Sequence, residues 1–367
     1  MINGQRKIPL SSPDITKTEI NSIKSVLTTP HLSRGPKTKE LEEKIANYIG
    51  VPYAIAVNSG TSGLHLAIRS LGLKKGDEVI TTPFSFISSS NCLLMEGVKP
   101  VFVDIDPLTY NINPSLIEKA ITEKTKAILP VHIFGHPVNM DSINDIAKKN
   151  NLYVIEDACE AIGAEYKGIK VGKMSDVSVF AFYPNKQITT GEGGIILTSK
   201  EDLACLCRSM RCHGFENNLC ERLGYNYNMD EMSAALGLAQ FSRLEEILER
   251  RKNVAEMYIS KLKDIEELVL PYTSPDVKRS WFVFVIGIKN GKRDHVKTYL
   301  NEKGIQTGDY FKAIHLQPLY KREFGFKEGD FPITEKISSQ NIALPFYNNL
   351  VEEDVDYIVK KIKESLK

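Results

Sequence analysis

The sequence predicts an α/β fold in which a mainly parallel sheet is covered by helices on both faces. Short runs rich in β-branched residues alternate with longer amphipathic runs through the first half of the chain. The short runs are apolar throughout, which is typical of parallel strands that are buried on both faces. A second, smaller α/β domain is indicated by the pattern that follows.

The strand-like runs come in a regular order. Each of the first four is followed by a helical run, respectively "TSGLHLAIRSLG", "SSSNCLLMEG", "PSLIEKAITEK" and "MDSINDIAKKN". The strand-like runs are "YAIAVN", "DEVITT", "KPVFVDI", "KAILPVHIF", "LYVIED", "DVSVFAF" and "GGIILT". This alternation predicts repeated strand and crossover-helix units.

The last third of the chain has a different pattern. From Asp230 to about Leu262 no proline interrupts a roughly helical spacing of apolar residues, which predicts one long helix leaving the first domain. After it, "RSWFVFVIGI", "RDHVKTYLNEKG" and "EEDVDYIVKKIKESL" predict further strands and helices. We therefore divide the chain into a large domain, residues 12–245, and a small C-terminal domain, residues 246–367, on which residues 1–11 are expected to pack.

The composition excludes several classes of function. The chain has 367 residues, of which 42% are hydrophobic and 25% charged, enough for a sizeable core and two domains. Lys plus Arg (47) nearly equals Asp plus Glu (46), so the chain has no global positive field of the kind that attracts nucleic acid or anionic membranes. Neither is predicted as a partner. The apolar runs have the length of strands, and the first residues lack the apolar region of a secretory signal. We expect a cytoplasmic protein.

Four of the six cysteines lie close to His213 in the sequence. Cys205 and Cys207 read as part of one helix, where positions i and i+2 face different ways, unlike the tight C-x-x-C turn of structural zinc sites. Buried free thiols are the favoured interpretation, so no metal and no disulfide are predicted.

In a doubly wound sheet, ligands bind beyond the carboxyl ends of the strands. After the first strand, "NSGTSG" (Asn58 to Gly63) leads straight into a helix whose free N–H groups and dipole favour an anion, and Gly60 lets the backbone come close. An ordinary Ser or Thr cap with a turn glycine explains the segment equally well. Neither a P-loop nor G-x-G-x-x-G is present, which disfavours ordinary nucleotide binding and a nicotinamide-dependent dehydrogenase.

Two other strand ends carry candidate residues. Phe86 follows the second strand and is either a core aromatic or a cover for a flat ring. The fifth strand closes with Glu156 and Asp157, whose side chains point to opposite faces, so that one of them is expected to enter a pocket. The alternative is a carboxylate that caps the following segment.

Lys186 stands between the sixth strand and a glycine-rich return, "TTGEGG", into the seventh. A lysine at one strand end, an aspartate at another and an anion-binding turn at a third are suited to pyridoxal phosphate (PLP). The lysine amine can form a Schiff base, the helix N-terminus can take the phosphate, and the carboxylate can keep the pyridine nitrogen protonated. A surface lysine is the alternative.

The chain also resembles a known family, the DegT/DnrJ/EryC1/StrS aminotransferases, over nearly its whole length. The matching segments are "NSGTSGLHLAI", "TTPFSFISSSN", "KPVFVDIDPLTYNI", "VHIFGHPVNMDSI", "YVIEDACEAIGAEYKGIKVG", "SDVSVFAFYPNKQITTGEGGIILT", "RCHGF", "LGYNYNMDEMSAALGLAQFSRLEEI" and "ALPFY". The resemblance implies a fold-type-I PLP enzyme with a mainly parallel seven-stranded sheet in its large domain. It also implies transfer of an amino group, usually from L-glutamate, to a keto group of a nucleotide-linked sugar.

Roles follow from the resemblance position by position. Lys186 matches the lysine of the internal aldimine, and Asp157 the partner of the pyridine nitrogen. The other implied cofactor contacts are the phosphate turn Gly60, Thr61 and Ser62, the stacking Phe86, and Glu160 beside the cofactor phenolate. Asn226 matches a residue that reaches the phosphate of the neighbouring subunit, which implies a homodimer with shared active sites. Tyr310 and His315 match a segment that lines the sugar side of the site in the family. The alternative is that their side chains only pack within a loop.

Three positions depart from the commonest family pattern. Ala181 stands where many members have a serine that helps to hold the phosphate, and Glu160 where many have glutamine. Asp309 stands where histidine is common.

Two other functions are alternatives. Sugar dehydratases of the same family replace the lysine, so the presence of Lys186 disfavours that activity. A regulatory or sugar-binding module on the same fold would need neither Lys186 nor Asp157, so their presence disfavours it too. The expected kinetics are ping-pong.

Overall fold

The computed structural model describes residues 7–367. The α-helices are α1 Lys17–Leu27, α2 Pro36–Ile49, α3 Gly60–Ser70, α4 Ser88–Met95, α5 Pro114–Ala120, α6 Met140–Asn150, α7 Glu201–Arg211, α8 Glu231–Ser242, α9 Leu244–Leu262, α10 Arg293–Glu302, α11 Pro318–Phe324, α12 Pro332–Gln340 and α13 Glu352–Leu366. The strands are β1 Tyr53–Val57, β2 Glu78–Thr81, β3 Lys99–Phe102, β4 Thr125–Ile128, β5 Tyr153–Asp157, β6 Glu165–Tyr166, β7 Ile169–Lys170, β8 Val177–Ala181, β9 Gly194–Thr198, β10 Phe215–Glu216, β11 Leu219–Cys220, β12 Leu268–Val269, β13 Val277–Lys278, β14 Phe284–Ile288 and β15 Asn341–Leu344.

The central sheet has seven strands in the order β1-β9-β8-β5-β4-β2-β3. The pairs that lead from β3 through β2, β4 and β5 to β8 are parallel, whereas β9 is antiparallel to both β8 and β1. The seven predicted strands therefore form this sheet, and the predicted mainly parallel, fold-type-I architecture is confirmed. The return that joins β8 to β9 contains no helix, whereas parallel strands are usually joined by a crossover helix, and β9 accordingly runs antiparallel to β8.

Both faces of the sheet are covered, as predicted. Ile55 and Val57 of β1 pack in one core with α3, α4 and α7, while Ala54 and Ala56 pack in another with α2 and α8. This alternation follows from the period of two along a strand. Helix α3 lies close against the sheet because a Cβ on Gly63 would stand 2.7 Å from Val179 Cγ1.

The prediction of a single long helix after Asp230 is wrong. The chain forms α8 and α9, and Arg243 between them has φ −111° and ψ 11°, outside the helical region. Its guanidinium lies 3.0 Å from Asp14 Oδ2 and 3.0 Å from Glu19 Oε1. The break is therefore held by ion pairs with Asp14 and with Glu19 of α1. No local pattern around Arg243 reveals these distant partners.

A smaller antiparallel sheet, β12-β14-β15, lies in the C-terminal part. Its core also contains Ile8, which pairs with Ile305, so the described part of the N-terminal segment packs here. Residues 1–6 of that segment lie outside the described residues. Helix α9 contributes Ile247 to a core of the large sheet and Tyr258 to the core of the small one. The domain boundary after residue 245 stays a prediction.

Among residues 7–367, no helix combines the length and the apolar character that crossing a membrane would require. Within the same range, no group of three or more His, Cys, Asp and Glu side chains is arranged to hold a metal ion. All six cysteines are free. Cys205 is exposed and Cys207 is buried, so the two face different ways, as their spacing predicted. The predicted burial of the thiols near His213 is wrong for Cys205 and Cys220, which are both exposed.

Helix α2 begins without a side-chain cap of its own, and Glu231 of α8 supplies one. Oε1 of Glu231 accepts hydrogen bonds from the N–H groups of Gly35 (2.9 Å) and Thr38 (2.7 Å), and Oε2 accepts one from Lys37 N–H (2.7 Å). We expect Glu231→Ala to lower the free energy of unfolding by about 3 kcal/mol, because three donors near the start of α2 lose a buried charged acceptor. Urea unfolding would measure this change.

Glu43→Ala is the matched control, since Glu43 is an exposed carboxylate on α2 that lies 3.8 Å from Lys39. Its removal should change the same free energy by less than about 0.5 kcal/mol. Equal effects of the two substitutions would contradict the capping role.

Candidate active site

A cavity of about 600 Å³ opens at the carboxyl ends of β1, β2, β5 and β8. These four strands run in the same direction, so the segments that follow them meet at one edge of the sheet. The cavity is lined by Ser59, Gly60, Thr61, Leu64, Ser85, Phe86, Ser88, Ser89, Val131, Asp157, Cys159, Glu160, Ala181, Tyr183, Asn185, Lys186, Glu192, Gly193, Phe282, Asp309, Tyr310 and Phe311. Most of the predicted cofactor residues are therefore brought together.

Lys186 lies in the return between β8 and β9, and its side chain is only 12% exposed. The Nζ atom lies 3.6 Å from Glu160 Oε1 and 3.8 Å from the centroid of the Phe282 ring. The carboxylate and the ring face both favour a cation, so the amine is held inside the cavity. The surface-lysine alternative is excluded by this placement.

The glycines around Lys186 make room for backbone. A Cβ on Gly194 would stand 2.7 Å from the Ser59 carbonyl carbon, so β9 lies directly against the turn between β1 and α3. Gly191 has φ +81°, a conformation that side chains rarely adopt. The glycine-rich return thus sets the amine and the start of α3 at a fixed distance from each other.

Asp157 ends β5 and is 4% exposed. Its Oδ2 accepts a hydrogen bond of 2.6 Å from Ser89 Oγ, and its Oδ1 accepts one of 3.2 Å from Cys159 N–H. Glu156 turns to the other face, where His132 Nε2 lies 3.0 Å from its Oε2. Of the two carboxylates, it is Asp157 that enters the cavity, as the strand alternation allowed.

Glu160 is buried beside Lys186. Burial raises the pKa of its carboxyl group, although the Lys186 ammonium and the Phe134 N–H, which donates to Oε2 over 2.8 Å, act in the opposite direction. Burial also raises the pKa of the Cys159 thiol well above its usual value. A proton on Glu160 therefore costs less here than in water, and Cys159 stays a thiol.

The predicted anion site is the N-terminus of α3. Ser59 caps this helix, with its Oγ accepting from Ser62 N–H, and a Cβ on Gly60 would stand 2.7 Å from Ala181 Cβ. Thr61 Oγ1 lies 2.8 Å from Ser88 Oγ, and both residues line the cavity. Ser62 does not line it: its hydroxyl donates to Asn58 Oδ1 (2.6 Å) and so supports the turn from behind.

Two aromatic residues sit at the cavity as predicted. Phe86 is 59% exposed, which is unusual for a phenylalanine that only fills a core. The Tyr310 hydroxyl accepts a hydrogen bond of 3.0 Å from Asn185 Nδ2, and burial, with the Glu160 charge, raises the Tyr310 pKa to about 12. Tyr310 is therefore a neutral group near the amine.

The structure does not bring His315 and Asn226 into this cavity. His315 is fully buried between Phe326 and Phe331, with its Nε2 3.0 Å from Glu335 Oε1, so its predicted place on the sugar side is not supported. Packing of the loop is the alternative that fits. Asn226 is exposed and bridges to Cys212, and its carbonyl oxygen accepts a hydrogen bond of 3.4 Å from Asn58 Nδ2.

Several lining residues were missed by sequence reasoning, among them Ser88, Ser89, Asn185 and Phe282. The serines stand in "FISSSN", a run of small hydroxyl residues at the start of a helix after a strand, which was a usable signal. Asn185 is adjacent to the lysine. Phe282 comes from the strand-rich C-terminal part, and nothing in its local sequence indicates that its ring meets Lys186.

A sequence model of the DegT/DnrJ/EryC1/StrS aminotransferase family matches residues 13–363. The chain belongs to this family. It is 37% identical to the GDP-perosamine synthase of Escherichia coli O157:H7, over 97% of this chain and 98% of that protein. Two solved structures superpose over 98% of the chain. One is PseC of Helicobacter pylori, an aminotransferase involved in pseudoaminic acid biosynthesis, with a TM-score of 0.93 and 29% identity over 99% of that chain. The other is Spr1654 of Streptococcus pneumoniae in its PLP form, with a TM-score of 0.94 and 29% identity over 98% of that chain.

Membership of this aminotransferase family confirms that the protein is a PLP-dependent transaminase. The residues present fit the cofactor. The turn at Gly60 is a cradle that any Cβ would fill, and the α3 N-terminus favours a phosphate. Lys186 offers an amine and Asp157 a carboxylate, and the Asn185 Oδ1 atom is buried without a hydrogen-bond partner among the described residues.

Glu160→Gln should stabilise the cofactor-free protein at neutral pH. Folding raises the pKa of the Glu160 carboxyl group, so the folded protein binds this proton more tightly than the unfolded chain does. The stabilisation that results is fully present below about pH 4.5 and is lost as the pH rises through the folded pKa. We expect the melting temperature to rise by roughly 1 to 3 °C at pH 8. The difference should shrink towards pH 5 when the melting temperatures are measured by calorimetry.

Glu192→Gln serves as the control because Glu192 lines the same cavity but is exposed. It should leave the melting temperature unchanged at both pH values. A Glu160→Gln protein that is less stable than the original at pH 8 would show that the Lys186 pairing outweighs burial.

Proposed function

We propose that this aminotransferase moves an amino group from L-glutamate to a keto group of a nucleotide-linked sugar. The observation that carries the proposal is the placement of the Lys186 amine in one cavity with Asp157 and the N-terminus of α3. The choice of substrates is supported by the family resemblance and by the sugar that the E. coli relative is named for. Cytoplasmic location stays a prediction from the sequence.

Residues that line the cavity would hold the cofactor. The N–H groups of Gly60 and Thr61, at the start of α3, face no acceptor within their own helix and would hold the phosphate. Phe86 would cover the ring. Asp157 would face the pyridine nitrogen, and Glu160 the phenolate side, where its proton can be shared rather than repelled.

The hydroxyl that Ala181 lacks has a candidate replacement in this chain. Ser88, at the start of α4, lines the cavity and lies 2.8 Å from Thr61 through their hydroxyl oxygens. Ser59 also lines the cavity. Two hydroxyls are thus available at the phosphate position without a serine at 181.

PLP, when bound, supplies an electron sink that makes the donor's α-carbon acidic. Asp157 keeps this sink effective by favouring a protonated pyridine nitrogen, and Ser89 holds the carboxylate in place with a hydrogen bond to Oδ2. Lys186 Nζ takes the proton from the α-carbon of the donor and later delivers a proton to the sugar carbon. Overall the donor amine carbon is oxidised to a ketone, and the sugar ketone carbon is reduced to an amine.

The charges of the cavity support a second copy of the chain as part of the site. Among its lining residues Lys186 is the one cation, against four carboxylates, Asp157, Glu160, Glu192 and Asp309. A nucleotide-linked sugar carries a negative diphosphate, which needs cationic or N–H donors from elsewhere. Exposed apolar side chains close to Asn226 in sequence, among them Leu219 and Leu223, are suited to contact a partner.

A non-catalytic module and a dehydratase are both less well supported. A binding module has no need of a confined lysine opposite a buried aspartate, and a dehydratase of this family lacks the lysine. The carboxylate and aromatic ring that hold Lys186 Nζ indicate an amine kept for chemistry.

Lys186→Ala should abolish keto-acid release when the protein is incubated with PLP, L-glutamate and a panel of nucleotide-linked 3-keto and 4-keto sugars. The variant loses the base that moves the proton, and its fold should be intact because the amine makes no structural hydrogen bond among the described residues. Lys167→Ala, which removes an exposed lysine paired with Asp141, should keep full activity. Residual turnover at the original rate in Lys186→Ala would refute the assignment.

Asp157→Asn should lower kcat by about 100-fold or more, because an amide no longer favours the protonated pyridine nitrogen. The ultraviolet and visible absorbance of the PLP-bound variant should also change. A loss of thermal stability with unchanged kcat would point to a structural role instead.

Mixed dimers test the assignment of Asn226 to a neighbouring subunit. The Lys186→Ala and Asn226→Ala homodimers should both be inactive, whereas a random one-to-one mixture should regain about a quarter of the original activity, because half of the dimers then hold one intact site of two. Activity would be measured after unfolding and refolding the two proteins together. No gain on mixing would indicate that Asn226 acts within its own chain or not at all.

A further inference from the structure

Asp309 is a charged residue of the cavity wall that lies outside the set of residues proposed to hold the cofactor. It lies immediately before Tyr310 in the C-terminal part of the chain and lines the cavity. A carboxylate at this position departs from the histidine that is common in the family. The sequence alone indicated only this departure from the family pattern.

Two cations hold Asp309 through one oxygen. Arg293 Nη1 lies 3.1 Å from Oδ1, and Lys297 Nζ lies 2.5 Å from the same atom. Both cations come from α10 and are spaced four residues apart, so they face the same side of the helix. Within residues 7–367, no hydrogen bond is donated to the second oxygen, Oδ2. The carboxylate is therefore fixed in orientation while keeping an acceptor that is not used by the protein.

We propose that Oδ2 of Asp309 accepts a hydrogen bond from a hydroxyl group of the sugar and so determines which keto sugars are accepted. The inference rests on the proposed function, which supplies the sugar. Arg293 and Lys297 are positioning residues, because they orient the carboxylate without lining the cavity themselves.

A neutral hydroxyl fits this acceptor better than the ammonium group of the amino donor. The two cations beside Oδ1 offset the negative charge, which weakens attraction for a third cation but leaves the acceptor lone pairs of Oδ2 available. Phe311 and Tyr310 follow directly in the chain and line the same wall, giving an apolar surface beside one fixed polar group. Sites of this composition orient a ligand through few polar contacts.

The same geometry gives a reason for selectivity. A sugar with a hydroxyl at the matching position satisfies Oδ2, whereas a deoxy sugar leaves a carboxylate oxygen without a donor after water is displaced. Histidine could offer a single nitrogen lone pair and no charge. Asp309 therefore changes the set of hydroxyl patterns that the cavity accepts.

Asp309→Asn tests the inference with little change in shape. Arg293 and Lys297 should hold the amide oxygen, so that an NH₂ donor replaces the free acceptor and faces the sugar hydroxyl. For the keto sugar of the panel that the original enzyme uses best, kcat/KM should fall by about 10- to 100-fold, the range expected for a lost hydrogen bond to a charged group. The dissociation constant of that sugar for the PLP-bound enzyme, measured by calorimetry, should rise similarly.

The donor half-reaction separates this role from a general loss of function. The absorbance change on adding L-glutamate alone to the PLP-bound enzyme should have the same rate in Asp309→Asn as in the original. The melting temperature should also be unchanged. A slower donor half-reaction would show that the carboxylate contacts the amino donor, which would overturn the proposal.

Asp294→Asn is the matched control. Asp294 also pairs with Arg293, through Nε at 3.1 Å, but is 84% exposed and does not line the cavity. It removes the same charge beside the same cation and should leave both half-reactions unchanged. An unchanged kcat/KM in Asp309→Asn would refute the role of Asp309, whereas the absence of sugar transamination by the original chain would refute the proposed function itself.

Discussion

The short return from β8 to β9 is the constraint on which the site depends. It contains no crossover helix, and β9 runs antiparallel between β8 and β1. This insertion fixes the distance between the return that follows β8, which carries Lys186, and the end of β1, which opens into α3. Gly194 permits the contact because its missing side chain lets β9 touch the Ser59 backbone.

Electrostatic balance around Lys186 follows from this geometry. The amine sits among buried carboxylates that the strand ends bring to one edge, and each carboxylate is stabilised differently. Asp157 is held by a serine hydroxyl and a backbone N–H, whereas Glu160 is strongly desolvated and has its pKa raised. The two acidic groups of the cavity thus have different surroundings, as separate roles in catalysis require.

Much of the molecule could be predicted from the sequence. The seven strands of the sheet were visible as apolar runs, because a strand buried on both faces needs an apolar residue at nearly every position. Lys186, Asp157, Gly60, Thr61 and Phe86 were visible because ligands of such sheets bind where the strands end. Their arrival at one cavity is the common consequence of strand direction.

Residues that act across the fold were harder to find. Phe282 and Asp309 reach the cavity from the C-terminal part, and the break at Arg243 is held by Asp14 and Glu19, far away in sequence. His315 shows the reverse error, since its segment resembles a sugar-side loop but its imidazole is packed among phenylalanines.

The sequence by itself determined the fold class, the family and the lysine, because these depend on local periodicity and on residues in fixed relation to strand ends. Tertiary structure alone decided which hydroxyls line the cavity beside the start of α3, which ring covers the amine and which oxygen of Asp309 stays free. Those features arise from contacts between segments distant in the chain, and no short-range pattern records such contacts.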